Sequence, residues 1–278
     1  MPTWLFSRSL LYPLTAVLVA LATVPVALVG WGFVGSNRGQ IETLEMQYLT
    51  RQAVGLAREL EVFLLNGAGR IETVAQALRP DAAHPLDMRG ASATLEELVQ
   101  NNRHIVLLRL LDERGQGSLV QSRPLAKRAD EALVPLLAEA YAENMSGRPV
   151  RHDFLRLPGE KPLSLLSVPL ASPDGRPMGA LQGLVSLEWV GSRMAEEAGI
   201  GITVDVVDRK GDVLFSSDHS RVGKSAAAHP LGDQFLQAAV RLTKTYQDPL
   251  RPTNAEVLGS LCPIDEPGWA LVTARDVE

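Results

Sequence analysis

The chain has 278 residues, 46% of them hydrophobic and 21% charged, with a formal net charge of −5. That composition excludes a disordered bulk, and the acidic balance excludes nucleic acid as the main partner, because phosphate binding needs a concentrated basic face. The single cysteine, Cys262, excludes an internal disulfide, so a packed core must hold the fold together. Cys262 lies in the apolar run Leu261-Cys262-Pro263-Ile264, where it reads as a small buried hydrophobe.

From Ser9 to Asn37 no residue is charged. That stretch exceeds the roughly 20 residues that cross a bilayer. A cleaved signal peptide would have a shorter apolar region, about 7–15 residues, closed by an Ala-x-Ala-like site. Here the run continues through Trp31 and Phe33 without one. Trp4, Tyr12 and Trp31 suit the two interfaces, and Pro13 and Pro25 are tolerated in a membrane helix. The sequence therefore predicts an uncleaved anchor. Arg8 before the span sets the N-terminus inside, and everything after Arg38 lies outside the cytoplasm.

Ile41 to Leu78 is expected to be one long helix. Leu49, Ala53, Leu56, Leu60, Phe63 and Gly67 recur at spacings of three and four. The stripe is either a core-packing face or a dimer seam that continues the membrane helix. Pro80 ends it.

The remainder contains an internal repeat. Ile105–Leu111 is a strand-like apolar run that ends in Asp112-Glu113-Arg114-Gly115; Ile202–Val207 is another, ending in Asp208-Arg209-Lys210-Gly211. Asp-x-x-Gly between two apolar runs signals a hairpin, because Asp accepts bonds from the turn backbone and Gly takes a positive φ. Later, Ser167-Val168-Pro169-Leu170 leads to a strand at Met178–Leu187, and Leu261-Cys262-Pro263-Ile264 leads to one at Trp269–Thr273. The hairpin aspartates stand 96 residues apart (112 and 208) and the strand prolines 94 apart (169 and 263). Between these landmarks, Ala129–Glu143 and Leu231–Leu242 read as amphipathic helices. The chain thus reads as two copies of one antiparallel α+β module, hairpin, helical connection, hairpin, with a boundary near Gly191–Gly201.

From Ile41 to Glu278 the sequence resembles the double Cache family of extracytoplasmic sensors. The resemblance rests on LLDERG, SVPLASPDGRPMGALQGLVSL, VVDRKGDVLFSSDHSRVGKS and GSLCPIDEPGWALV, in that order after a single anchor and a long helix. It implies an α+β fold of two PAS-like antiparallel-sheet modules in tandem behind an N-terminal transmembrane helix. The expected organisation is a cytoplasmic N-terminus (1–8), a transmembrane helix (9–37), a signalling or packing helix (38–80), a membrane-distal module with a small-molecule pocket (81–191), and a membrane-proximal module (192–278). The amino-acid-binding subset of the family carries an aromatic Arg-x-Trp-Tyr element; Leu125–Leu137 has no aromatic residue, and Leu184 or a neighbour takes the later aspartate position. An amino-acid ligand is therefore not expected. The family continues into a second membrane helix and an output domain, so this chain is expected either to be the front of a longer receptor or to signal through a partner.

Motifs for chemistry are absent or incomplete. Gly223-Lys224-Ser225 lacks the glycine five residues earlier that a phosphate loop needs, and Asp218 stands there instead. The five histidines are scattered, with no His-x-x-x-His pair. His152-Asp153 comes nearest to a metal pair and reads as a surface strand. No nucleophile elbow or His-Glu-x-x-His motif is present. No catalytic residue, metal or cofactor is expected.

Arg109 is a guanidinium on an otherwise apolar strand, and an unpaired buried charge is costly. It is either an edge residue reaching solvent or a clamp for a carboxylate or other anion. Arg151, Asp153 and Ser164, on the next two candidate strands, are the other ligand-binding candidates; alternating polar residues on a half-exposed sheet explain them equally well.

Three functions remain: a sensor that binds a small, anionic ligand in its distal module, an anchored assembly module that holds an extracytoplasmic protein partner, and an extracytoplasmic enzyme, for which no convergent acid, base or metal cluster is visible. The first leads. Its partners are the ligand, the bacterial inner membrane, a second copy in a homodimer, and a cytoplasmic output in cis or through a partner. A reporter enzyme active only outside the cytoplasm, fused after Glu278, should be active in cells. Activity only from a cytoplasmic reporter at that junction reverses the topology.

Overall fold

A computed structural model describes residues 5–78, 88–197, 201–225, 241–248, 250 and 256–277, and within the first helix the side chains of 5–16, 18, 30 and 33–39 fall outside the described set. The chain divides into two compact units, Met1–Leu49 and Thr50–Glu278. Helix α1 (Leu5–Ala77) supplies all the described backbone of the first unit and the opening of the second. In the first unit Val17, Val19, Leu21, Val24, Val26 and Trp31 are all exposed, and the Thr23 hydroxyl donates to the Val19 carbonyl at 2.8 Å. The expected span at 9–37 falls in large part on side chains outside the described set. Among the described residues no helix is long and apolar enough to cross a membrane.

The second unit is α+β, with two antiparallel sheets. After α1 come α2 (Met88–Asn101), β1 (Ile105–Asp112), β2 (Gly117–Gln121), α3 (Lys127–Met145), β3 (Val150–Leu155), β4 (Leu163–Ala171) and β5 (Pro177–Ser186). Then follow α4 (Glu188–Glu197), β6 (Ile202–Val207), β7 (Val213–Ser216), a 3-10 turn at His219–Arg221, β8 (Leu242–Gln247), β9 (Glu256–Ile264) and β10 (Trp269–Asp276). The first sheet has the order β2-β1-β5-β4-β3 and the second β7-β6-β10-β9-β8, the same arrangement in each. Two expectations need adjustment. Leu242 opens β8 instead of closing a helix, and 231–240 lies outside the described residues. The boundary expected near Gly191–Gly201 begins inside α4, which continues to Glu197 because Val190 and Met194, one turn apart, are buried.

The two hairpins are built alike. Asp112 Oδ1 accepts from the Arg114 and Gln116 backbone N–H groups at 2.9 and 2.8 Å. Asp208 Oδ1 accepts from those of Lys210 and Asp212 at 2.8 and 2.9 Å. Gly115 and Gly211 close the turns at φ of 72° and 82°, where a Cβ would be strained. The residues before the aspartates, Leu111 and Val207, pair with Ala180 and Ala270, which pair in turn with Pro169 and Pro263. The hairpin aspartates and glycines and the strand prolines each have their counterpart.

One face of each sheet packs on α1. Ala53, Leu56, Leu60 and Leu64 meet Val204, Val206, Phe215 and Leu271 of the second sheet. Two turns on, Ile71 and Ala75 meet Leu108, Leu110, Leu166 and Leu181 of the first. Each fully buried leucine stabilises by roughly 1.5–3 kcal/mol. Gly183 lets α1 come close: a Cβ there would lie 2.4 Å from Ile71 Cδ1. The equal roles of the two aspartates give a test. Asp112→Ala and Asp208→Ala should each destabilise by about 1–2 kcal/mol, because each leaves two turn N–H groups without their acceptor. Urea unfolding should show similar losses for both, with Asp→Asn milder at each position.

Candidate functional site

The face of the first sheet away from α1 is covered by α3. Its buried residues Ala129, Leu133, Leu137, Ala140 and Asn144 recur every three or four positions, as one helix face must. Against them lie Leu107, Leu163, Leu165 and Leu184. A polar thread runs through this apolar layer. The Ser167 hydroxyl donates to Asn144 Oδ1, and Asn144 Nδ2 donates to the carbonyls of Arg148 and Ser167 at 2.8 and 3.2 Å. Gln182 Nε2 donates to the Leu137 carbonyl at 2.8 Å and to Ser167 Oγ at 3.3 Å. Gln182 is fully buried, yet its Oε1 has no donor among the described residues. Such an orphan costs about 1–3 kcal/mol.

Arg109 sits in register with Gln182 on β5 and with Leu119 on β2. It alternates with Leu108 and Leu110, which face α1, so it stands on the α3 side of the sheet. It is half-buried and has no ion pair among the described residues.

Arg151, Asp153 and Ser164 lie on the other face. Arg151 Nε pairs with Asp153 Oδ1, and Arg151 Nη1 reaches Glu266 Oε2 in the β9–β10 hairpin at 3.3 Å. Burial holds the Asp153 carboxyl above its ordinary pKa even with Arg151 beside it. Ser164 and Arg151 line a small cavity with Phe63, Leu64 and Gly67 of α1. The structure brings these three candidates into one neighbourhood and leaves Arg109 on the opposite side of the sheet.

The second sheet answers the question that Arg109 poses. Asp205 stands three residues before hairpin Asp208, as Arg109 stands three before Asp112, and likewise on the face away from α1. There the charge is paired internally. Arg221 donates to Asp205 Oδ2 through Nε and Nη2 at 3.0 and 2.6 Å, and to Asp248 Oδ2 through Nη1 at 2.8 Å. All three are buried, with Arg221 only 2% exposed. Burial raises the Asp205 pKa, outweighing the neighbouring Arg221. Sequence reasoning missed this cluster, although the isolated aspartate in Ile-Thr-Val-Asp-Val-Val carries the signal that singled out Arg109.

No family model and no curated protein matches the chain. Solved structures do. The ligand-binding domain of the Pseudomonas aeruginosa PAO1 amino acid chemoreceptor PctC in complex with GABA is 18% identical at a TM-score of 0.61, over 84% of this chain and 100% of that one. The periplasmic sensory domain of the Campylobacter jejuni chemoreceptor Tlp1 is 10% identical at 0.64, over 83% and 94%. The ligand-binding domain of the Pseudomonas fluorescens chemoreceptor CtaA in complex with L-alanine is 18% identical at 0.57, over 84% and 97%. This is the fold of chemoreceptor sensor domains. The double Cache resemblance in the sequence agrees with it.

In this sensor fold the Arg221 cluster closes the second sheet's outer face from within. Arg221→Met should destabilise by about 3–5 kcal/mol, because two buried carboxylates lose their shared cation. Without the lowering influence of Arg221, the Asp205 carboxyl, already held up by burial, rises further above its unfolded value, so the native state binds more protons and stability recovers as pH falls. Urea unfolding at about pH 7 and about pH 5 should show the deficit shrinking at the lower pH. A constant deficit removes the charge argument.

Proposed function

We propose that the chain is a membrane-anchored extracytoplasmic sensor that binds a small anionic ligand between its first sheet and α3. The carrying observation is the inverted charge at equivalent positions of the two sheets. Asp205 has its cation in Arg221, whereas Arg109 has no anion within the described residues. A carboxylate entering beside Arg109 would satisfy the guanidinium, and a donor on the same molecule would satisfy Gln182 Oε1. GABA and L-alanine, bound by the PctC and CtaA domains, each carry a carboxylate and a donor. Here the aromatic element of the amino-acid-binding subset is missing, so we take the carboxylate as the recognised group and leave the rest of the ligand open.

In this reading 81–191 is the PAS-like membrane-distal module and 192–278 the membrane-proximal one. Residues 9–37 span the bacterial inner membrane, 38–80 form the signalling helix, and the domain works as a homodimer outside the cytoplasm. The exposed apolar side chains of the first unit support the span, as does Thr23, whose hydroxyl is satisfied within the helix. Ligand binding would act on α1 and through it on an output in cis or on a partner. Arg151, Asp153 and Ser164 would serve this response from the α1 side of the same sheet. One observation favours the assembly reading instead: leucines fill much of the layer beneath α3.

A thermal-shift screen of amino acids and small organic acids on the full chain separates the two. Sensing predicts that at least one compound raises Tm by linkage. It further predicts that Arg109→Ala folds yet binds that compound about 2 kcal/mol or more weaker by calorimetry, having lost the charge partner. Equal affinities would make Arg109 structural.

A further inference from the structure

A cavity of about 400 Å³ opens between the two sheets, and Arg109 does not line it. Such a volume lies within the range of small-molecule sites, roughly 300–1,000 Å³. Three walls enclose it: the β3–β4 connection of the first sheet, helix α4, and the segment from β7 through the 3-10 turn. Pro162, Leu214, Phe215 and Val222 make its lining largely apolar. Helix α4 turns its small residues Gly191, Ser192 and Ala195 to the space, and only a hypothetical Cβ at Gly191 comes within 3.8 Å of the Phe215 ring. The cavity is open because that helix face has no bulk.

Its polar groups are unbalanced toward donors. Glu160 is already committed, accepting from Arg123 at 2.6 Å and from the Ala126 backbone N–H at 2.8 Å. Glu188 faces Lys161 at 3.9 Å. Arg156 lies 5.7 Å over the Phe154 ring and has no carboxylate partner, and the side chains of His219 and Ser192 make no hydrogen bond among the described residues. Arg156, His219 and Ser192 stand exposed at the mouth of an apolar floor, an arrangement that suits a ligand with an acceptor at one end and hydrocarbon at the other.

We propose that this cleft is a second small-molecule site, which takes a monocarboxylate with an aromatic or branched apolar body. The acid sits on Arg156 and the body lies along Phe215, Val222 and Ala195. Such a molecule touches both sheets and α4 at once. It also borders the turn that delivers Arg221 to Asp205, so occupancy pins the seam between the sheets. The site shares no residue with the Arg109 face, and either proposal can fail alone.

Phenylacetate is a suitable probe, titrated calorimetrically into the full chain in nanodiscs. The expected result is saturable binding to wild type and unchanged binding to Arg109→Ala. Arg156→Gln should bind at least about tenfold weaker, having lost the charge-assisted contact. Gly191→Leu should abolish binding by filling the cavity, and uncharged phenylacetamide should bind weaker than phenylacetate. Absence of binding to wild type overturns the proposal, as do equal affinities for wild type and Arg156→Gln. Arg156 is exposed, so that comparison decides the matter even where Gly191→Leu does not fold.

Discussion

One stretch of helix backs both sheets. Ala53 to Leu64 packs on the second sheet and Ile71 to Ala75 on the first, in a single turn-by-turn series along α1. Close-packed interiors do not deform continuously, so neither sheet can shift against this helix without disturbing the α1 side chains packed on it. Polar ties add direction. Arg193 of α4 binds Glu59 at 2.8 Å, Gln52 donates to Glu197 at 3.0 Å, and Thr50 meets Thr243 of β8 at 2.8 Å. These ties join α1 to α4, the element between the sheets, and to β8.

The two sheets differ in charge at one equivalent position. They share strand order and hairpin chemistry, yet the position three residues before the hairpin aspartate carries Arg109 in one and Asp205 in the other. A buried carboxylate demands a cation, and the second sheet supplies one from its own chain in Arg221, itself shared with Asp248. That internal pairing meets the charge on the second sheet's face away from α1. Among the described residues the first sheet keeps its charge unpaired, beside a fully buried glutamine whose Oε1 has no donor. Its covering helix α3 is tied to the sheet through Leu137, Tyr141 and Asn144 and contains Pro135 in its interior.

Much of the fold was legible in the sequence, for local reasons. The strands at 105 and 202 are short apolar runs closed by Asp-x-x-Gly, and both turns depend on that aspartate and glycine. Helices α2 and α4 were not legible: each is short, and its buried residues, Ala91, Leu95 and Val99 in one and Val190 and Met194 in the other, are too few to stand out. Arg109 was visible because a lone charge in an apolar strand needs an explanation. Gln182, Ser167 and Asn144 were not, since their meeting depends on how α3 crosses β4 and β5. Arg221 and Asp248 lie 16 and 43 residues from Asp205, and only the closed sheet brings them together.

Hydrogen exchange on the full chain, with and without a saturating compound that raises its Tm, tests the central claim most directly. That claim is that occupancy beneath α3 is transmitted by the helix that backs both sheets. The account predicts slower exchange in α3 and β5 together with altered exchange between Ala53 and Ala75 of α1. Protection confined to α3, with α1 unchanged, would contradict it.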